Sequence, residues 1–473
     1  MKRSIVVFLV LAFAATTAVS QRSLKDIEGT WVGTLSIPAG DLRLVFHFEM
    51  TEADTIKGTL DSPDQGAMGI PMGRVSFEGD TLVARAPMIR GEYRGLPVGD
   101  TLLSGRLIQL GTSIDLDLKN EAAPVVDYKR PQTPEPPYPY KEEEVTFPNP
   151  VENFDLAGTL TLPEGEGPFP AVVLITGSGA QDRDESIFYH KPFHVIADYL
   201  TRNGIAVLRY DDRGTGKSKG RMNDATTMTL ADDAEAAVTY LLQRQEIDHG
   251  KIGLAGHSEG GMIAPIVASR NSNIAFVVSL AGPGVRGAEI MLQQARDIYA
   301  ASGMDEAEIE ETVAVNSHLF RMAVEVPDQR QFARDAMAWY SSELDKKGLT
   351  AEERREKMAT FTQGLASVNN PWMRYFIEAD PAPFWSQVKC PVLALNGEKD
   401  LQVNHEQNLP AIKKAVKKGG NRKVKTVAMP GLNHLFQHSE TGSPEEYIKI
   451  EETFAPEALE IMTSWIRKTM KMK

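Results

Sequence analysis

The 473-residue chain carries 51 basic against 64 acidic side chains, a net charge of −13, and 42% of its residues are apolar. That length predicts two or three domains with ample core. The negative balance repels phosphate backbones and anionic lipid surfaces, so nucleic acid and membrane surfaces are excluded as expected partners. Cys390 is the single cysteine, which rules out an intramolecular disulfide and a cysteine-based zinc site. At the head of the apolar run CPVLAL it reads as a buried small residue.

The chain opens with MKRSIVVFLVLAFAATTAVSQRS. Two basic residues, an apolar run from Ile5 too short for a membrane span, and small residues at Ala18 and Ser20 predict a signal peptide over residues 1–20, cleaved after Ser20. The mature protein is then expected in the periplasm or outside the cell, with no membrane anchor.

Residues 21–129 read as a β-rich domain. Short alternating runs such as LRLVFHFEM put Leu42, Leu44, Phe46 and Phe48 on one face, and Gly, Asp and Pro punctuate them, as in an antiparallel sandwich or barrel. A Pro-rich linker is expected over residues 130–142, because five prolines between Arg130 and Tyr140 forbid helix and ladder pairing alike.

Over residues 143–473 the rhythm changes. PAVVLITG, GIAVLRYDD, KIGLAG, AFVVSLAG, PVLALNG and VKTVAMPG are apolar, β-branched runs ending in Gly or Asp, with amphipathic helical patterns between most of them. This predicts an α/β domain with a mainly parallel central sheet covered on both faces, functional groups lying in loops at the carboxyl ends of its strands. Residues 286–386 hold only helical patterns and predict a helical cap inserted between two strands.

The stretch KIGLAG-HSEGG-MIAPIVASR runs from strand to helix through Gly256-His257-Ser258-Glu259-Gly260. A turn this tight strains the serine and needs flanking glycines, which is the context of a nucleophile elbow with Ser258 as nucleophile. A serine hydroxyl needs a base, and the base an orienting acid. Asp400, just past PVLALNG, is the expected acid, with Glu398 competing; His434, just past VKTVAMPG, is the expected base, ahead of His190, His194, His405 and His438. His257 reads as a packing residue. The oxyanion donors are expected to be the backbone N–H groups of Glu259 and of Ser178 in LITGSGAQDRD, with Gly179 as runner-up. The carboxylate of Glu259 must turn away from that anion, and Arg183 and His190 are its candidate partners. Gly216-Lys217-Ser218 is no phosphate loop, since Asp211 stands where the loop needs glycine; Asp211, Asp212 and Arg213 are expected to fix their loop through ion pairs and turn hydrogen bonds.

In the order ITGSGAQDRDE, YDDRGTGKS, GHSEGG, NGEKD and GLNH, these motifs resemble the α/β-hydrolase superfamily and, more narrowly, bacterial EstD-type carboxylesterases and serine aminopeptidase-like hydrolases. The resemblance covers roughly residues 140–473, and the SPDQGAMGIP run resembles the β-rich extension that precedes such hydrolases. It implies hydrolysis of carboxylic esters through an acyl-enzyme, without cofactor or metal, by Ser258, Asp400 and His434. The chain departs from the family at Ala180, where proline is usual after GSG, which bears on the rigidity of the oxyanion loop. Two other readings stand beside the esterase: a peptidase that would need an acidic cap residue for a free amine, and a binding module for glycan or protein built on the β-rich domain.

Overall fold

The computed structural model describes residues 23–37, 40–51, 55–65, 67–109, 112–120 and 128–472. The expected signal peptide therefore lies outside the described residues. The chain separates into two compact units, Met1–Val126 and Asp127–Lys473.

In the first unit the described strands form one antiparallel sheet. Its order is Ala67–Pro71, Ile56–Ser62, Gly40–Met50, Gly29–Ile37, Leu118–Asn120, Leu102–Gln109, Gly91–Val98, Thr81–Ala86 and Arg74–Glu78, with Thr112–Asp115 added against Leu102–Gln109. The alternation in LRLVFHFEM sends Leu44, Phe46 and Phe48 inward beside Trp31, which sits opposite Phe46 in the ladder. The buried indole is satisfied, its Nε1–H donating to the Ile27 carbonyl at 2.8 Å. Met72 N–H donates to Gly58 O and Gly73 N–H to Arg85 O, which ties strands from the two ends of the order together and curls the sheet.

The Pro-rich stretch runs along the second unit, where Arg130 Nη2–H donates to Phe188 O at 2.9 Å and Ile448 O at 2.8 Å. Strand pairing starts directly after its last proline, Pro139, with β1 (Lys141–Asn149). Then come β2 (Phe154–Leu162), β3 (Phe169–Ile175), α1 (Pro192–Arg202), β4 (Ala206–Tyr210), α2 (Thr227–Leu241), β5 (Ile247–His257), α3 (Gly260–Arg270) and β6 (Ile274–Leu280). Helices α4 (Gly287–Ala301), α5 (Glu306–Glu325), α6 (Gln329–Asp345), α7 (Ala351–Val368), α8 (Pro371–Glu378) and α9 (Ala382–Gln387) follow without a strand. The chain closes with β7 (Val392–Gly397), α10 (His405–Lys418), β8 (Val424–Met429) and α11 (Pro456–Thr469).

The sheet order is β1-β2-β4-β3-β5-β6-β7-β8. β2 lies antiparallel to both of its neighbours, and from β4 onward every pair is parallel. Apolar runs can fill β3 because it is covered twice: Ala171, Val173 and Ile175 face a core shared with α2, α3 and α10, while Val172 and Leu174 face one shared with α1 and α11. The parallel register pairs Ile175 with Gly256, His257 with Leu280 and Leu280 with Leu395, so the carboxyl ends of β3, β5, β6 and β7 finish level.

Between β6 and β7, helices α5–α8 build a core of their own from Leu319, Phe320, Phe332, Phe361, Leu365 and Ile377. Helix α9 belongs instead to the sheet body. Its Trp385 is fully buried in the central core and donates to Pro283 O at 3.1 Å. Among the described residues no helix is long and apolar enough to cross a membrane.

Candidate active site

Ser258 follows the last residue of β5 with φ at +51°, a left-handed conformation that a non-glycine residue adopts at a cost. It is locked there, for its N–H donates to Leu280 O at 2.8 Å and its carbonyl accepts from Gly261 N–H at 2.9 Å. The turn is so close that a Cβ on Gly256 would lie 2.0 Å from Gly260 O, and one on Gly260 would lie 2.1 Å from Ile175 O. Both glycines are therefore needed for backbone to pass backbone, and α3 begins at once with Gly260.

Asp400 and His434 come from the loops after β7 and β8. Asp400 Oδ2 is 2.8 Å from His434 Nδ1, and Asp400 Oδ1 accepts from the N–H groups of Gln402 and Val403, each at 2.8 Å. Both side chains are buried, at 0% and 5% exposure. A carboxylate at Nδ1 fixes the tautomer with the proton on that nitrogen and leaves Nε2 as an acceptor. The His434 turn is stiffened by Asn433, whose Oδ1 accepts from Leu435 N–H and Gln437 N–H. The competing residues lie elsewhere: Glu398 is exposed, His438 pairs with Glu452 and Glu457, His194 is buried on α1, His405 opens α10, and His190 is bonded to Tyr447 O and Thr453 Oγ1.

The loop after β3 runs beside the serine, since a Cβ on Gly177 would stand 3.3 Å from Ser258 Cβ. Ser178, Gly179 and Ala180 are exposed, and the residues on either side of them are pinned. Asp212 accepts from Thr176 Oγ1–H and from Gln181 N–H, both at 2.9 Å, and its own N–H donates to Gln181 O. Gly177 N–H donates to Glu185 Oε1 at 2.6 Å. The side chains of Asp212 and Glu185 thus hold the loop around Ala180. Burial drives the Asp212 carboxyl well above its ordinary value, against the opposing donors from Gln181 and Thr176.

The expected partners of Glu259 are corrected. Arg183 is engaged in a fork with Asp211, Nε to Oδ1 at 3.0 Å and Nη2 to Oδ2 at 2.8 Å, and His190 is engaged as above. Glu259, 2% exposed, instead accepts from Thr227 Oγ1–H at 2.6 Å and from Trp372 Nε1–H at 2.8 Å. Thr227 starts α2 and Trp372 lies on α8 of the inserted helices, so neither was within reach of reasoning along the neighbouring loops. Burial raises the Glu259 carboxyl above its usual value, and the two donors oppose that shift.

His257 is more than packing. Its Nδ1 is 3.0 Å from Glu185 Oε1, its Nε2 is 3.0 Å from the His434 carbonyl, and its ring centroid lies 4.8 Å from that of His434. Glu185 was missed by sequence reasoning; the available signal was a buried histidine whose two ring nitrogens both require partners. The expectation for Asp211, Asp212 and Arg213 holds in detail, with Arg213 bonded to Asp233 and Glu152. Burial pushes the half-buried Cys390 thiol up to about 12, which keeps it protonated near neutral pH. Among the described residues no cluster of His, Cys, Asp and Glu is arranged to hold a metal.

A level row of strand ends, a strained serine on a strand-to-helix elbow and a buried His–Asp pair tied to that elbow through His257 are the features of an α/β-hydrolase scaffold. The alpha/beta hydrolase fold family model matches residues 170–441, and the chain belongs to that family. Esterase EstD of Thermotoga maritima is 32% identical over 299 residues, which is 62% of this chain and 61% of that protein. Acyl-coenzyme A thioesterase 3 of Mus musculus is 31% identical over 135 residues, 28% of either chain. The chain thus spans about three fifths of the first relative and under a third of the second. A solved structure of the Pyrococcus furiosus esterase Pf2001 superposes on 70% of this chain and 93% of its own at 15% identity, with a TM-score of 0.42.

Proposed function

We propose that the chain is a serine hydrolase of carboxylic esters working through an acyl-enzyme. The observation that carries the reading is the buried Asp400–His434 bond of 2.8 Å, joined through the His257–His434 contact of 3.0 Å to the elbow that holds Ser258 at φ +51°. Ser258 Oγ attacks the acyl carbonyl while its proton passes to His434 Nε2, whose availability follows from the proton kept on Nδ1 by Asp400. The tetrahedral oxyanion accepts hydrogen bonds from the backbone N–H groups of Glu259 and Ser178. Collapse breaks the bond to the alcohol oxygen, which leaves with the proton from His434. Water then repeats the sequence on the acyl-enzyme, giving up a proton to His434, and the acid departs as Ser258 regains its hydrogen.

With Thr227 and Trp372 holding its carboxylate, Glu259 offers its N–H to the oxyanion without presenting a negative charge to it. The helices from α4 to α8 serve in this reading as the cap that covers the acyl group, with Trp372 as their anchor to the elbow. The substrate is a small ester, and the relative with a thioesterase name makes thioesters the comparison to run beside oxygen esters.

The test is turnover of p-nitrophenyl butyrate by the full chain and by Ser258→Ala. Loss on the order of a millionfold in kcat is expected for the variant, as befits removal of a nucleophile. Retained turnover, or a fluorophosphonate label on a residue other than Ser258, overturns the assignment. Parallel assays on acyl thioesters and aminoacyl amides rank the substrate classes.

A further inference from the structure

One buried pair joins three loops that the proposed chemistry needs in fixed relation. Glu185, 4% exposed in the loop between β3 and α1, has φ at +51°, so surrounding contacts hold it in a conformation it would not choose alone. Its Oε1 takes both the Gly177 N–H at 2.6 Å and His257 Nδ1 at 3.0 Å. Gly177 precedes Ser178, the residue assigned above as an oxyanion donor. His257 precedes the nucleophile, and its other nitrogen reaches the carbonyl of His434 at 3.0 Å. Both imidazole nitrogens face oxygen atoms, so each of them can donate when the ring is protonated. Burial alone would lower its proton affinity, but the Glu185 charge and hydrogen bond and the His434 carbonyl raise it above the ordinary value.

We propose that Glu185 and His257 are positioning residues of the hydrolytic site, clamping the oxyanion loop and the backbone of the base to the elbow that carries the nucleophile. Neither touches substrate. They act by fixing where the Ser178 N–H and the His434 ring stand relative to Ser258. The inference rests on the esterase reading above. A pair that merely stabilised the fold would change melting behaviour and leave the chemistry intact; a clamp changes the stabilisation of the tetrahedral state while ground-state binding stays the same.

The experiment compares the full chain with Glu185→Ala, Glu185→Gln and His257→Asn, measuring kcat and KM on p-nitrophenyl butyrate and the affinity of a short-chain trifluoromethyl ketone. That ketone adds the serine oxygen and mimics the tetrahedral state. In Glu185→Ala, kcat should fall about tenfold to a hundredfold with KM changed by no more than about threefold, the size expected when reacting groups are displaced by a fraction of an ångström. Ketone affinity should fall in parallel. Glu185→Gln keeps an oxygen for Gly177 N–H and loses the charge opposite His257, so its loss should be smaller. A folded Glu185→Ala protein with kcat and ketone affinity within about twofold of the parent overturns the clamp. Should that variant fail to fold, Glu185→Gln and His257→Asn are read by the same criterion. Absence of turnover in the parent chain overturns the esterase reading itself, a result distinct from an undiminished Glu185→Ala.

Discussion

The loops at the carboxyl edge of the sheet and the helices inserted between β6 and β7 are held by different forces. At the sheet edge, buried polar groups bond across loops that are far apart in the chain: Asp400 to His434, Glu185 to His257, Asp212 to Thr176. In the insertion, an apolar core around Phe332 and Phe361 is dressed with solvent-facing ion pairs such as Arg296–Glu310, whose side chains are 39% and 56% exposed. Directional bonds in a low-dielectric setting fix positions closely and are costly to leave half-made, whereas packing and screened charges tolerate adjustment. The contrast sets directional buried bonds at the sheet edge against apolar packing and exposed charge in the insertion.

Three substitutions probe that contrast. Asp400→Asn, at the buried edge, should lower kcat about ten-thousandfold with the fold retained, because the amide favours the wrong tautomer of His434; steady-state kinetics alongside a thermal melt reads it. A loss of only a few fold would mean that the edge is less demanding than described.

Glu259→Gln probes the one carboxylate shared by the two regions. Its folded-state proton affinity is raised by burial. The stability gained from the bound proton is complete below the unfolded-state carboxyl value and disappears as pH climbs to the raised folded-state value. Above that value the parent buries a charge that glutamine does not carry. Melting temperatures at pH 4 and pH 8 should therefore show the variant gaining on its parent at the higher pH, by about 2–4 °C. Curves that stay parallel across that range would remove the charge from the account.

Glu310→Gln, on the insertion surface, should leave the melting temperature unchanged to within about 1 °C. A clear drop would show that the insertion relies on its charges after all.

The scaffold was readable because apolar runs ending in Gly or Asp mark parallel strands, and Ser258, Asp400 and His434 stand at the ends of three of them in the order the chemistry requires. The glycines at 256 and 260 announced the elbow for a steric reason that the structure makes explicit. What the sequence kept hidden was pairing across loops. Glu185 and His257 are 72 residues apart, and Glu259 and Trp372 are 113 apart. No periodicity links such residues, and their meeting follows only from sheet register and from where α8 settles. Arg183 and His190 looked suitable for Glu259 as nearby donors, yet each already had closer oxygens to serve.

The indole on α8 has one more consequence. Of the five tryptophans, Trp31 and Trp385 donate to backbone carbonyls, while Trp372 donates to the Glu259 carboxyl and stacks on Phe376 at 5.3 Å. Because the indole N–H reaches from the inserted helices to the elbow, Trp372→Phe would keep the ring in place and remove one of the two side-chain donors to Glu259.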